Sequence, residues 1–120
     1  MKNFVVTRRH DLNRVIDEIP FVDDEFVIVL ENTPGRKDIP PERKVKNIYA
    51  FYPDGSLKWR IDPDNMMRIL THVDGKLVRA SPFVWLGWRD DVLIADTFNG
   101  ARYQIDPETG KATLVRVFPK

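Results

Sequence analysis

The stretch from Phe83 to Ile105, FVWLGWRDDVLIADTFNGARYQI, decides the fold that the sequence predicts. It contains three runs rich in β-branched and aromatic residues, separated by the polar break Arg89-Asp90-Asp91 and by the hairpin dipeptide Asn99-Gly100. This spacing is typical of antiparallel strands joined by tight turns. We therefore expect consecutive strands at 83–88, 92–98 and 101–106.

The same turn chemistry continues on both sides of this stretch. Asp54-Gly55 and Asp74-Gly75 are further hairpin dipeptides, and Pro107-Glu108-Thr109-Gly110 is a four-residue turn. Additional strands are expected at 46–52, 56–61, 76–80 and 111–118. The sequence thus predicts a β-dominated fold (all-β or α+β), an antiparallel meander of seven or eight strands in a single domain, 1–120.

Two hairpins allow register predictions. A two-residue loop at Asn99-Gly100 pairs Ile94 with Ile105 on an inward face, and it places Asp96 beside Tyr103 on that face.

The hairpin at Asp54-Gly55 has two candidate registers. A two-residue loop would pair Ala50 with Trp59. A type I turn with Gly55 in the left-handed position would place Trp59 on the face of Tyr49 and Phe51, and we prefer it because Pro53 fixes the φ that this turn needs.

The N-terminal third has a different pattern. Leu12, Val15, Ile16 and Ile19 have helical spacing, which predicts a short helix ended by Pro20, although a strand at 14–19 is the alternative. The continuously apolar run 26–30 predicts a central strand that is buried on both faces.

Composition restricts the possible functions. The 120 residues include 19 basic and 18 acidic side chains, with a net charge of +1 and no Cys. Disulfides, thiol catalysis and Cys-based zinc sites are excluded, and with two His residues we expect no metal and no cofactor. No apolar run is long enough for a membrane span and the start does not resemble a signal peptide, so we expect a cytoplasmic protein without membrane contact.

No catalytic residue is predicted. His10 precedes Asp11 directly, and adjacent side chains rarely form an oriented acid–base pair. A hydrolase pair or a Mg²⁺ site could draw on the carboxylates of Asp62, Asp64, Asp90, Asp91, Asp96 and Asp106. We favour a turn role for the first four, because they lie at expected turns, where Asp is common since it bonds to the local backbone.

Two groups of residues are candidates for binding a partner. The expected loop 33–46 is basic and Pro-rich, which suits an acidic protein surface and less well a nucleic acid. Trp85 and Trp88 differ by three positions, so a strand would present them on opposite faces. The candidate partner-binding residues are Arg36, Lys37, Arg43, Lys44, Trp85 and Trp88.

Two segments share a pattern of Tyr, an apolar residue, Pro and Gly: YAFYPDG at 49–55 and YQIDPETG at 103–110. These hairpins resemble those in blades of quinoprotein-type (PQQ-like) β-propellers. A propeller needs about four or more four-stranded blades, so neither closure nor a quinone site is implied for 120 residues. The chain also resembles small single-domain bacterial β-rich proteins of unknown function.

The sequence predicts a non-enzymatic protein-binding module, of which an immunity-type protein that neutralises a toxin is one form. The alternatives are a small-molecule or nucleic-acid binding module that uses sheet aromatics, and a small hydrolase or isomerase with an Asp-based site. Because an open meander leaves unpaired edge strands, a homodimer through an edge strand or an aromatic face is also expected.

Overall fold

The computed structural model describes residues 6–21, 25–32, 43, 45–63, 71–73, 76–78, 81–98 and 100–117. In this part of the chain a 3-10 turn at Arg9–Asp11 and eleven strands confirm the predicted β-dominated fold. The strands are β1 (Arg14–Phe21), β2 (Phe26–Asn32), β3 (Ile48–Phe51), β4 (Leu57–Arg60), β5 (Asp62–Pro63), β6 (Thr71–Val73), β7 (Lys76–Val78), β8 (Phe83–Arg89), β9 (Val92–Thr97), β10 (Ala101–Ile105) and β11 (Lys111–Val117). No helix in the described ranges has the length and apolar character to cross a membrane.

The strands form two main sheets and one separate hairpin. The first sheet has the order β1-β2-β3-β4, the second has the order β5-β11-β10-β9-β8, and β6 pairs with β7. All neighbours are antiparallel except β5 and β11, which are parallel. The strands therefore form two meanders and not the single meander that the sequence predicts. The two sheets are joined where the chain passes from β4 through Ile61 into β5. Here the Ile61 N–H donates to the Ile48 carbonyl of the first sheet, and the Asp62 N–H donates to the carbonyl of Gly110, next to β11 of the second.

The main core lies between the two sheets. Large buried side chains from the first sheet, such as Ile28 and Ile48, belong to the same cluster as Phe83 and Leu93 from the second. The buried Asn47 side chain links the sheets: its Nδ2 donates to the carbonyls of Glu31 and Phe83, and its Oδ1 accepts from the Phe83 N–H at 2.9 Å. This amide satisfies backbone groups that would otherwise be buried without partners.

The outer face of the first sheet carries a second core. Val29, Tyr49 and Phe51 pack there with Val6, which lies in the N-terminal segment that covers this face. The alternate residues of β2 face the main core, so the run at 26–30 is buried on both sides as predicted. Its predicted central position is also confirmed, because β2 lies between β1 and β3.

The covering N-terminal segment is held by the carboxylate of Asp11. This group accepts hydrogen bonds from the N–H groups of Thr7 and Arg8, both at 3.0 Å. These donors, Thr7 first and Arg8 second, hold the pKa of Asp11 below its usual value, because they stabilise the ionised form.

The predicted N-terminal helix is wrong, and the alternative strand is what forms. Residues Arg14–Phe21 pair with β2, but the register shifts between Val15 and Asp17. The extra residue at Ile16 is a β-bulge, which interrupts the twofold alternation of a strand. The apolar residues with helical spacing do not share one buried face: Val15 and Ile16 are exposed, whereas Ile19 packs against the main core.

The predicted register of the Asn99-Gly100 hairpin is wrong by one residue. Tyr103 pairs with Ala95 and Ile105 pairs with Leu93, because the loop has three residues and Gly100 occupies the left-handed region at φ 93°. A one-residue change turns every side chain of a strand over. Asp96 therefore lies on the outer face, where it pairs with Arg102 at 2.7 and 2.9 Å.

The Asp54-Gly55 hairpin combines features of both candidate registers. Gly55 has a φ of 90° and donates to the Tyr52 carbonyl, as the preferred type I turn requires. Beyond this turn, the pairing of β3 with β4 shifts by one residue between Phe51 and Ala50, so that Ala50 pairs with Trp59. The turn prediction is confirmed, whereas the expected placement of Trp59 beside Tyr49 is wrong: Trp59 points into the main core.

Candidate functional site

Strand β8 is an edge strand of the second sheet. Among the described strands its hydrogen-bonded neighbour is β9, joined to it by the two-residue turn Asp90-Asp91 with φ of 50° and 64°. Arg89 pairs with Val92 beside this turn, and antiparallel ladders alternate between inward and outward backbone groups. The N–H and C=O groups of Leu86 and Trp88 are therefore directed away from β9, towards the edge of the sheet.

Trp85 lies on the outer face of this edge strand. Its ring lies over Gly87, where an added Cβ would come within 2.7 Å of the ring. The Arg89 guanidinium is 5.5 Å from the ring centroid on the same face. Since 36% of Trp85 stays exposed, the ring is positioned by local contacts and still presents a surface.

Trp88 lies on the opposite face, as its spacing from Trp85 predicts. Its ring stacks on Phe21 at 5.8 Å between centroids, and Phe21 stacks on Phe26 at 4.6 Å. We call Phe26, Phe21 and Trp88 the ring ladder. Its inner end, Phe26, is buried, whereas Trp88 at the outer end is 46% exposed.

A groove of about 640 Å³ opens beside the outer end of the ring ladder. Phe21 and Trp88 form one part of its lining, and the turns that follow β8 and β10 contribute Asp91 and Asp106. We call this the ladder groove. Among the described lining residues, the charged groups are these two carboxylates and the cation Lys111, which gives a net charge of −1.

The inner end of the ring ladder already holds a cation from the chain itself. The Lys58 ammonium is 4.8 Å from the centroid of Phe26 and 5.3 Å from that of Tyr52. It also forms an ion pair with Glu108 at 3.6 Å. The protein thus combines aromatic faces with a carboxylate to hold an ammonium group.

The expectation that Arg43 lies on an exposed loop is wrong, so the side chain is not available on the surface as a partner contact. Arg43 is 6% exposed, and its Nε and Nη2 donate to the fully buried carboxylate of Glu31 at 3.0 and 2.6 Å. The sequence signal failed because a Pro-rich basic segment looks solvated, while the pairing carboxylate lies twelve residues earlier in an apolar strand. Arg36, Lys37 and Lys44, the other basic candidates, lie outside the described residues.

The Glu31–Arg43 pair ties three segments together. Glu31 also accepts from the Asn13 N–H at 2.7 Å, and Arg43 donates to the Asp11 carbonyl at 3.3 Å. Burial lowers the pKa of Arg43, but the hydrogen bonds and charge of Glu31 outweigh this effect and leave the pKa raised. The pair is accordingly a buried ionic link between β2, the N-terminal segment and the segment that carries Arg43.

The possible acid–base residues do not converge in the described part of the chain. His10 is on the surface, and its Nε2 is 3.5 Å from Asp11. Among the described residues, the groove beside His10 contains Asp54, not Asp62, Asp90 or Asp91, and Asp64 lies outside the described residues. No group of three or more metal-ligating side chains occurs among the described residues.

Sequence reasoning missed Phe21, and it considered Asp106 only for an Asp-based site, not beside Trp88 in the ladder groove. Phe21 comes 67 positions before Trp88, and only the packing of the two sheets brings the rings together. The signal that could have found Phe21 was the strand alternative for 14–19, because extending that strand by two residues places Phe21 at its end.

Comparison with known proteins gives a family and no functional relative. No curated protein matches the chain, and no solved structure does. The model of a domain of unknown function, DUF7957, matches residues 4–116. Since this match covers nearly the whole chain, the protein belongs to the DUF7957 family.

Proposed function

We propose that the chain is a protein-binding module that takes up an extended segment of its partner along β8. The observation that carries this proposal is an edge strand with large exposed apolar side chains: Val84, Trp85 and Trp88 are 46%, 36% and 46% exposed. An exposed sheet edge supplies backbone hydrogen bonds to an added strand, and the side chains on both faces give selectivity. Tryptophan is enriched at such interfaces because it buries a large area at little entropic cost.

The opposite edge of the fold is built differently. Strand β1 presents Asp17, Glu18 and Pro20 to solvent, and a bulge interrupts it at Ile16. Charges, prolines and bulges are the features that protect natural edge strands from pairing. Strand β8 also has one register shift, at Val84, and β1 also exposes Val15 and Ile16, so neither feature separates the two edges. The contrast that favours β8 as the docking edge is its two exposed tryptophans and the absence of Asp, Glu and Pro from Phe83–Arg89.

The small-molecule alternative has one observation in its favour. The ladder groove, at about 640 Å³, falls within the usual size range of ligand pockets. The carboxylates of Asp91 and Asp106 disfavour a phosphate backbone beside Trp88, so the groove gives no support to nucleic acid. The immunity-type role, the homodimer and the cytoplasmic location remain predictions from the sequence.

The test is a selection of random linear peptides against the full chain, followed by measurement of dissociation constants. Val84→Lys places a charge at the proposed edge, and Val115→Lys is the matched control, because Val115 is 47% exposed on β11. We expect Val84→Lys to weaken binding of the selected peptides at least tenfold and Val115→Lys to leave it unchanged. Equal effects of the two variants, or a selection that yields no binder, would overturn the proposal.

A further inference from the structure

We propose that the ladder groove binds the guanidinium group of an arginine in the segment that docks on β8. This inference rests on the proposed function and adds the chemistry of the partner. Trp88 belongs both to the edge strand β8 and to the lining of the ladder groove. A strand added beside β8 would alternate its side chains between the two faces of the sheet, so every second one would be directed to the Trp88 face.

The groove combines two features that recognise a cation. Trp88 is 46% exposed, and indole is the aromatic side chain that attracts cations most strongly. Asp91 and Asp106 lie in the same lining, where the described residues include one cation, Lys111, against these two carboxylates. A cation that enters the groove can therefore contact both the ring face and a carboxylate.

At the inner end of the ring ladder, a site of the same chemical composition already holds a cation. Lys58 lies over Phe26 and Tyr52 and pairs with Glu108, so rings and a carboxylate together hold an ammonium group there. At the outer end, rings and carboxylates recur, and the groove is open to solvent. The internal site supports the view that the outer one has a cationic occupant.

Arginine fits the groove better than lysine does. The guanidinium group is planar, stacks on aromatic rings and can donate two parallel hydrogen bonds to a carboxylate. The chain uses such stacking on β8 itself, where Arg89 lies over Trp85 at 5.5 Å. The occupant of the ladder groove is thus a basic residue of an extended segment, with arginine preferred.

The experiment compares two β-forming heptapeptides that differ only in the central residue, which is arginine in one and its neutral isostere citrulline in the other. Binding to the full chain is followed by NMR, through the Trp88 indole N–H and the amides of β8. We expect the arginine peptide to bind at least tenfold tighter and to shift the Trp88 indole signal, with the preference reduced at high salt.

The variant Asp91→Asn/Asp106→Asn should abolish the preference for arginine. Asp90→Asn is the matched control: Asp90 shares the turn with Asp91 but is not part of the groove lining, so the preference should persist. If both peptides shift the β8 amides with equal affinity, the inference is wrong while the proposed function stands. If arginine is preferred and the double variant retains that preference, arginine is recognised elsewhere and the inference is also wrong. If neither peptide affects β8 at millimolar concentration, both proposals fail.

Discussion

Replacement of Arg43 by Met tests the most unexpected feature of the fold, a buried ion pair in a segment that looks like a solvated loop. Arg43→Met removes both hydrogen bonds to Glu31 and the one to the Asp11 carbonyl. The carboxylate of Glu31 has no exposed surface, and among the described residues the Asn13 N–H would be its remaining donor. Breaking a buried pair on one side costs about 3 to 5 kcal/mol, because the other charge stays buried.

The cost is measured by urea denaturation followed by tryptophan fluorescence. For a domain of this size, each kcal/mol corresponds to about 4 °C in Tm, so the melting temperature of Arg43→Met should also fall clearly. The double variant Glu31→Gln/Arg43→Met removes both charges, and Gln can still accept from Asn13. We expect it to be more stable than the sum of the two single changes predicts, by about 2 kcal/mol.

The exposed pair of Arg9 and Glu18 provides the control. Its side chains are 43% and 46% exposed, so Arg9→Met should cost less than about 1 kcal/mol. A loss as small as this for Arg43→Met, or strict additivity in the double variant, would refute the buried link and return Arg43 to the surface.

Two further perturbations test the turns and the N-terminal cover. Gly110→Ala should destabilise the fold by more than about 1 kcal/mol, because Gly110 has a φ of 80° and an added Cβ would lie 2.5 Å from the Trp59 ring; an unchanged Tm would contradict this packing. Hydrogen bonds from the N–H groups of Thr7 and then Arg8 lower the pKa of Asp11 in the folded protein. The ionised carboxylate therefore contributes its full stabilisation above the pKa of the unfolded chain. This stabilisation is lost as the pH falls through the lower pKa of the folded state. Below about pH 4 the wild type should therefore lose stability more steeply than Asp11→Asn, measured as Tm against pH, and parallel curves would show that Asp11 does not hold the segment.

The strands were predictable from the sequence where turn chemistry was strong. Asn, Asp and Gly in turn positions locate the hairpins, because few residues tolerate the positive φ that these turns require. The dipeptide Asn99-Gly100 predicted a two-residue loop, and the observed three-residue loop reverses the face of every residue in β9. Asp96 was a usable warning: an acidic side chain on a supposed core face indicated the wrong register.

The candidate site was predictable only in part. The spacing of Trp85 and Trp88 within a strand is local information, and it gave their opposite faces correctly. The residues around Trp88 come from distant parts of the chain: Phe21 ends β1, Asp91 follows β8 and Asp106 follows β10. Only the packing of the two sheets brings them together, and no local sequence pattern encodes this packing. The burial of Arg43 was hidden for the same reason, since it depends on Glu31 from a different strand.

Amide hydrogen exchange, measured on the full chain with and without a selected peptide, tests the central claim most directly. Strand addition along β8 engages the N–H groups that point away from β9, so the amides of Leu86 and Trp88 should become protected when the peptide binds. Protection at β1 in place of β8, or a bound peptide that leaves both amides exchanging at their free rate, would contradict the account.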